Sequence, residues 1–122
     1  MHKVNKMKAN EQICRASKIF HKTDVYGYYK VIDEKETVCK PIKFNGWSDG
    51  VFEYYANEER WHVIDPNTGI SITTGDNRKR ARTNAYSKEV QNRFNLWKQK
   101  DEYKNLCIKW KQIIDEIKEY EF

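Results

Sequence analysis

The sequence predicts an α+β fold: an antiparallel sheet of four to five strands in a meander, with a short N-terminal helix before it and C-terminal helices packed on one face. Two observations predict it. Between residues 24 and 74, short runs rich in β-branched and aromatic residues alternate with turns rich in Gly, Pro, Asn or charged residues. From residue 76 onward, apolar residues recur at spacings of three and four, as in an amphipathic helix.

Length and composition indicate one packed domain. The chain has 122 residues and an aromatic content of 14%, so large side chains are available for a core although 34% of the residues are charged. We therefore expect a single domain over 1–122. Its predicted parts are a helical N-terminal segment (1–23), antiparallel strands (24–74) and a helical region (76–121).

The N-terminal helix and the strands follow one another with short connections. Asn10 is the expected N-cap of a helix over 11–22. Five strands come next, and the tight turns between them predict an antiparallel meander. Pro41 cannot donate a ladder hydrogen bond, so the second strand is predicted to lie at a sheet edge. The predicted strands span 25–32, 37–44, 51–56, 60–65 and 70–74.

The C-terminal helical region contains two apolar stripes. Asp76 is the expected cap of its first helix, and Ser87 restarts or continues that helix. On one straight helix, the stripe at 90–97 and the stripe at 103–120 would point in nearly opposite directions. A break is therefore predicted within 98–102.

Composition argues against membrane, disulfide and zinc proteins. No apolar run approaches the roughly 20 residues that span a bilayer, so no membrane partner is expected. The first ten residues are basic but have no apolar core behind them, so a cytoplasmic location is predicted. Cys14, Cys39 and Cys107 are odd in number and contain no C-x-x-C pair, which indicates reduced cysteines.

The net charge of +5 is unevenly distributed. Residues 1–43 carry ten Lys/Arg against five Asp/Glu, residues 44–77 carry one against six, and residues 78–122 carry twelve against seven. Two basic ends therefore flank an acidic middle. This asymmetry favours a charged partner, or a second copy of the chain in a homodimer.

The residue patterns offer one weak enzymatic candidate. Asp24, Asp33 and Lys35 match the carboxylates and lysine of a metal-dependent nuclease, provided that the carboxylates converge on a divalent ion. However, Asp33 and Lys35 stand in what reads as an exposed charged turn. His21 and His62 each precede an aspartate by three residues, a pattern too sparse to predict a metal site. No catalytic residue, metal or cofactor is predicted, and the nuclease stays an alternative.

The start of the helical region is the strongest candidate for partner binding. Its cations stand where the helix dipole already presents positive charge, so each costs about 0.3–1 kcal/mol. Such a conflict with local preference indicates a function, here the attraction of an anionic partner. Trp47 is the expected aromatic anchor of this surface. Alternatively, the cations are solvated or pair with the acidic middle. The cations are Arg78, Lys79, Arg80 and Arg82.

The hairpin before this helix resembles a module of uncharacterised proteins from phages and other mobile elements. That module reads W-x-V-x-D-x-x-T-G-x-x-I-x-x-G, followed by a basic helix with spaced alanines. The resemblance implies a small accessory protein of a mobile element and carries no catalytic residue across. In size and fold class the chain is also similar to anti-CRISPR and related anti-defence inhibitors. The matching residues are Trp61, Val63, Asp65, Thr68, Gly69, Ile72, Gly75, Ala81 and Ala85.

These observations together predict a non-catalytic binding protein. The favoured hypothesis is an inhibitor from a mobile element that contacts a host protein or ribonucleoprotein of a nucleic-acid-handling defence complex. It would compete with nucleic acid or block assembly of that complex in the host cytoplasm. The first alternative is direct nucleic-acid binding through the basic helix start, with an affinity that falls steeply with salt. The second alternative is the small metal-dependent nuclease.

Overall fold

The computed structural model describes residues 19–120, with only the backbone described at 29–33, 37–39 and 120. Within that range the α+β fold is confirmed, with a five-stranded antiparallel sheet followed by three helices. Sheet order follows chain order, so the predicted meander is also confirmed. The elements are β1 (His21–Asp33), β2 (Glu36–Ser48), β3 (Glu53–Asn57), β4 (Arg60–Asp65), β5 (Ile70–Gly75), α1 (Arg78–Ala85), α2 (Lys88–Lys98) and α3 (Asp101–Tyr120).

β1 and β2 form a hairpin that is much longer than the other strands, with 13 residues in each. In the described chain, β2 pairs with β3 only at Trp47 and Ser48. Pro41 lies opposite Tyr28, outside that stretch, so its missing N–H leaves no gap on the β3 side. The prediction that the second strand lies at a sheet edge is therefore wrong for β2 as an element, because β2 lies between β1 and β3. It holds locally around Pro41, because within residues 19–120 β3 does not pair with that part of β2.

This hairpin folds over the face of the sheet that lies opposite α1, and the ring of its Tyr28 also contacts Trp110 of α3. Val25 and Phe44 pack on that face against Tyr55 and Ile64, and the rings of Phe44 and Tyr55 stack with centroids 3.9 Å apart. Gly46 makes the close approach possible, because a Cβ at this position would collide with the backbone of β3. The sequence predicted an apolar core on the one sheet face that the helices cover, and the structure shows a second apolar cluster on the other face, formed with the hairpin.

The main core lies on the helix-covered face. Tyr54 and Val63 are fully buried there against Ala81 and Ala85 of α1. These two alanines are small enough for α1 to lie directly on the sheet, and a Cβ on Gly75 would collide with the backbone at Ala81. The start of α1 is thereby held close to the end of β5.

The caps of the first two helices explain where they begin. Asn77 caps α1 by accepting a hydrogen bond from the N–H of Arg80 at 2.8 Å. Asp76, the predicted cap, instead forms an ion pair with Arg60 at 3.3 Å, so that prediction was wrong by one residue. Both residue types cap helices well, and only the backbone geometry decides between neighbours. Ser87 caps α2, so the helix restarts there.

Two other predicted boundaries have different outcomes. The break between the two helical stripes is confirmed, because α2 ends at Lys98 and α3 begins at Asp101. The helix predicted over 11–22 extends too far, because His21 and Lys22 already belong to β1. Pairing with β2 satisfies their backbone groups, and this competes with a helix. The rest of that prediction, including its Asn10 cap, lies outside the described residues.

Candidate functional site

The basic helix start lies where the chain leaves β5 and enters α1. Asn77 closes the first turn of this helix, and no acidic residue stands in that turn. The helix dipole adds partial positive charge at the same place. The four cations of this segment have different surroundings, and these surroundings decide which of them a partner can reach.

Arg78 contacts Trp47, so two of the predicted site residues meet although 31 positions separate them. The guanidinium carbon lies 4.3 Å from the centroid of the Trp47 ring and 4.3 Å from that of Phe20. The ammonium of Lys22, directly opposite Trp47 in the β1–β2 register, lies 6.0 Å from the same indole. Cation–π contacts contribute about 0.5–1 kcal/mol each at exposed sites, enough to offset the dipole cost of Arg78.

Arg82 pairs with a buried carboxylate, although its own side chain is 39% exposed. Its Nε lies 3.5 Å from Oδ2 of Asp49, and its guanidinium carbon lies 4.8 Å from the centroid of the Tyr86 ring. Asp49 belongs to the acidic middle of the chain, so pairing with that segment does occur for this cation. Arg82 therefore ties α1 to the loop between β2 and β3.

The carboxylate of Asp49 is a junction of several elements. It accepts hydrogen bonds from the N–H groups of Val51 and Phe52 at 2.9 and 2.8 Å, and from the hydroxyls of Tyr54 and Tyr86 at 2.7 and 2.9 Å. Burial alone would raise the pKa of Asp49, but these hydrogen bonds outweigh it and hold the pKa below its ordinary value. Burial and the Asp49 carboxylate raise the pKa of Tyr86 to about 12, so this hydroxyl stays a donor at neutral pH.

Lys79 and Arg80 are the exposed cations among the four at the start of α1. Neither side chain forms an ion pair with any residue in the 19–120 range. They stand on the first turn of α1, whose backbone N–H groups attract anions. We refer to Lys79 and Arg80, together with Arg78, Trp47 and Lys22, as the basic surface.

The residues proposed for a nuclease do not converge. Asp24 and Asp33 stand on the same strand, β1, and nine residues of extended chain separate them by about 30 Å. Lys35 lies beyond Asp33 in the turn of the hairpin. Among the described residues there is also no group of three or more His, Cys, Asp or Glu that could hold a metal ion. A shared ion between Asp24 and Asp33 is thus ruled out by strand geometry.

The D-x-x-T-G part of the module is a structural turn. Asp65 is 1% exposed, and its carboxylate accepts hydrogen bonds from the N–H of Asn67 at 3.1 Å and the hydroxyl of Thr68 at 3.0 Å. Tyr103 of α3 donates to the same carboxylate at 2.8 Å. Gly69 follows with a φ of +70°, which glycine adopts readily. These residues shape the β4–β5 turn and dock α3 on it.

The acidic middle does not form one exposed acidic face. The side chains of Asp49 and Asp65 are both 1% exposed and are used inside the fold. Asp76 pairs with Arg60. Because these carboxylates are buried or paired, the block of negative charge in the sequence does not translate into an equal negative surface.

Sequence reasoning missed Phe20, Lys22 and Asp49. The first two were assigned to the N-terminal helix, although pairing 21–33 with 36–48 around the charged turn places Lys22 opposite Trp47. That register was a usable signal, since hairpin register follows from the turn. For Asp49 the bonds from Val51 and Phe52 are local, as is usual for an aspartate in a turn. Its contacts with Arg82 and Tyr86 have no local signal, because these residues lie 33 and 37 positions away.

Comparisons with known proteins identify no relative. No protein-family model, curated protein or solved structure matches the chain. Over the part of the chain that the structure describes, none of the helices combines the length and apolar character needed to cross a bilayer.

Proposed function

We propose that this protein is a non-catalytic binding protein that contacts an anionic partner through the basic surface. The observation that carries the proposal is the contrast within the first turn of α1. Arg78 is held between Trp47 and Phe20, whereas Lys79 and Arg80 beside it are exposed and without an ion-pair partner in residues 19–120. Unpaired cations at a helix start have an energetic cost that an anionic ligand would offset.

The basic surface is also preorganised. Arg82 and Tyr86 fasten the far end of α1 to Asp49, and Arg78 fastens its start to β2 through Trp47. A partner that binds here does not need to order the helix, so less conformational entropy is lost on binding.

We further propose that the partner is an acidic protein surface of a host nucleic-acid-handling complex, and that binding inhibits this complex. The resemblance of residues 61–85 to a module of mobile elements supports an accessory protein of such an element, and the similarity in size and fold class to anti-defence inhibitors supports inhibition. The exposed cations support a partner rich in carboxylates, because charged partners associate faster and more selectively when their potentials are complementary.

A second candidate function is direct nucleic-acid binding. It is favoured by the indole of Trp47, which lies among the cations of the basic surface and is half-buried. Aromatic rings beside basic residues stack on the bases of single strands while the cations contact phosphates.

The test is binding to fluorescent single- and double-stranded DNA and RNA from low to moderate salt. The proteins compared are the wild type, Lys79→Ala/Arg80→Ala and the control Lys104→Ala/Lys109→Ala, which removes two exposed cations of α3 instead. Salt-sensitive binding that only the first double variant loses would establish the second candidate and overturn the protein-partner proposal.

Absence of nucleic-acid binding at low salt leads to the second arm. Affinity capture from host extract then compares the same three proteins. A protein retained by the wild type and the control, but not by Lys79→Ala/Arg80→Ala, supports the proposed function. Equal retention by all three would contradict a role for the basic surface.

A further inference from the structure

A separate apolar cavity lies between β5 and α2. Its volume is about 230 Å³. For scale, an apolar cavity of about 150 Å³ in another protein holds one benzene molecule, so this cavity has room for an aromatic ring. Its apolar lining consists of Ile70 and Ile72 from β5 and Val90, Phe94 and Trp97 from α2.

One cation lines this cavity, and a second lies close to the ring of a lining residue. Arg93 lines the cavity and donates a hydrogen bond from Nη2 to the carbonyl of Ile72 at 3.3 Å. Lys98 does not line the cavity, but its ammonium lies 4.8 Å from the centroid of the Phe94 ring, which does. Both are exposed, and neither has an ion-pair partner within residues 19–120. The cavity therefore combines an apolar interior with a positively charged rim.

The edge of β5 limits how a partner can use this site. The carbonyl of Ile72 accepts from Arg93, and the carbonyl of Thr74 accepts from Nδ2 of Asn84 at 2.9 Å. Side chains of α2 and α1 thus already bind two backbone groups of this strand. A peptide that added to β5 as a sixth strand would have to displace them, so entry of a single side chain is favoured over strand addition.

We propose that the cavity is a docking site for an aromatic side chain of a partner protein whose sequence neighbours are acidic. The ring occupies the apolar interior, and the flanking carboxylates lie against Arg93 and Lys98. An uncharged neighbour would leave these cations unpaired, so they select for acidic residues. The site is independent of the basic surface and does not rest on the proposed function.

The experiment follows the methyl signals of Ile70, Ile72 and Val90 by NMR during peptide titration. The two probes are Ac-Glu-Phe-Glu-NH2 and the neutral Ac-Gln-Phe-Gln-NH2. We expect the acidic peptide to shift these methyl signals and to bind about threefold or more tightly, as two exposed ion pairs allow. In Arg93→Gln/Lys98→Gln the preference is expected to disappear, whereas the control Lys88→Gln/Lys109→Gln keeps it.

Several results would overturn the proposal. One is the absence of methyl shifts at millimolar peptide, and another is equal affinity for the two peptides. Tighter binding of free N-acetylphenylalanine than of the acidic peptide would assign the cavity to a small aromatic acid instead. The Lys79→Ala/Arg80→Ala variant is expected to bind the peptide like the wild type, so failure here and failure of the proposed function are distinguishable.

Discussion

Tyr103 donates a hydrogen bond from its hydroxyl to Oδ2 of Asp65 at 2.8 Å, across 38 positions of sequence. Both residues are buried, and the bond joins the first turns of α3 to the β4–β5 turn. Burial and the Asp65 carboxylate raise the pKa of Tyr103, which keeps its hydroxyl protonated and able to donate. The last helix is therefore positioned by a polar contact as well as by its apolar face.

We expect Tyr103→Phe to lower the free energy of unfolding by about 1.5–3 kcal/mol, because the buried Asp65 carboxylate would lose one of its hydrogen-bond donors. Urea unfolding followed by circular dichroism measures this. Tyr86→Phe is the matched comparison: it also removes a hydroxyl bound to an aspartate, but Tyr86 is 41% exposed, so a smaller loss is expected. Equal losses would contradict the role given to Tyr103.

Gly69 and Gly50 form a second matched pair, since both have a positive φ, of +70° and +93°. A Cβ at Gly69 would collide with the indole of Trp110, whereas a Cβ at Gly50 would meet nothing within 4 Å. We expect Gly50→Ala to cost about 1–2 kcal/mol from backbone strain alone. Gly69→Ala is expected to lower the free energy of unfolding by clearly more, because it adds the collision with Trp110 to the strain. The unfolding midpoints of the two variants in heat or urea measure the difference. Equal shifts would mean that the Trp110 side chain moves aside without cost.

We expect protonation of the Asp49 carboxylate to destabilise the protein in acid. Its pKa is held below the ordinary value in the folded protein, so its contribution is fully present above the pKa of the unfolded chain, about 4. The contribution is lost as pH falls through the lower pKa of the folded state. We expect the stability difference between wild type and Asp49→Asn to be large at pH 6 and to shrink below pH 4. A difference that stays constant down to pH 3 in urea unfolding would contradict this.

Charge reversal distinguishes the two neighbouring cations at the start of α1. Lys79→Glu is expected to raise stability by about 0.3–1 kcal/mol, because it replaces an unpaired cation with an anion that the helix dipole favours. Arg78→Glu gains the same dipole term but loses the contacts with Trp47 and Phe20, so no net gain is expected. Thermal unfolding at low salt measures both variants, and stabilisation by both would argue against a structural role for Arg78.

The strands and helices were largely predictable from local pattern. The alternating run at 60–65 and the break after Lys98 are confirmed, because pleat and helix period are read from adjacent residues. At Ser87 the sequence left open whether the helix restarts or continues, and the structure shows that it restarts. The cap of α1 was misplaced by one residue, since Asp76 and Asn77 have similar preferences. The helix predicted over 11–22 was extended too far, because strand pairing with β2 competes with helix formation at His21 and Lys22.

The residues of the candidate site could be predicted from the sequence, but their exposure and contacts could not. The run Arg78–Arg82 and its conflict with the helix dipole are visible in the sequence. Its division into exposed and engaged cations is not, because Trp47 and Asp49 reach α1 only when β2 lies beside β3.

The sequence by itself determined the order and kind of the elements, the turn chemistry of residues 65–69 and the concentration of positive charge at one helix start. These depend on interactions over a few residues. Only the tertiary structure decided that the β1–β2 hairpin covers the sheet face opposite α1, and that the side chains of Asp49 and Asp65 are buried. It also decided that a cavity opens between β5 and α2. Such features depend on contacts between segments that are distant in sequence. These contacts stabilise the protein only after the entropy cost of bringing the segments together has been met, so local sequence patterns do not reveal them.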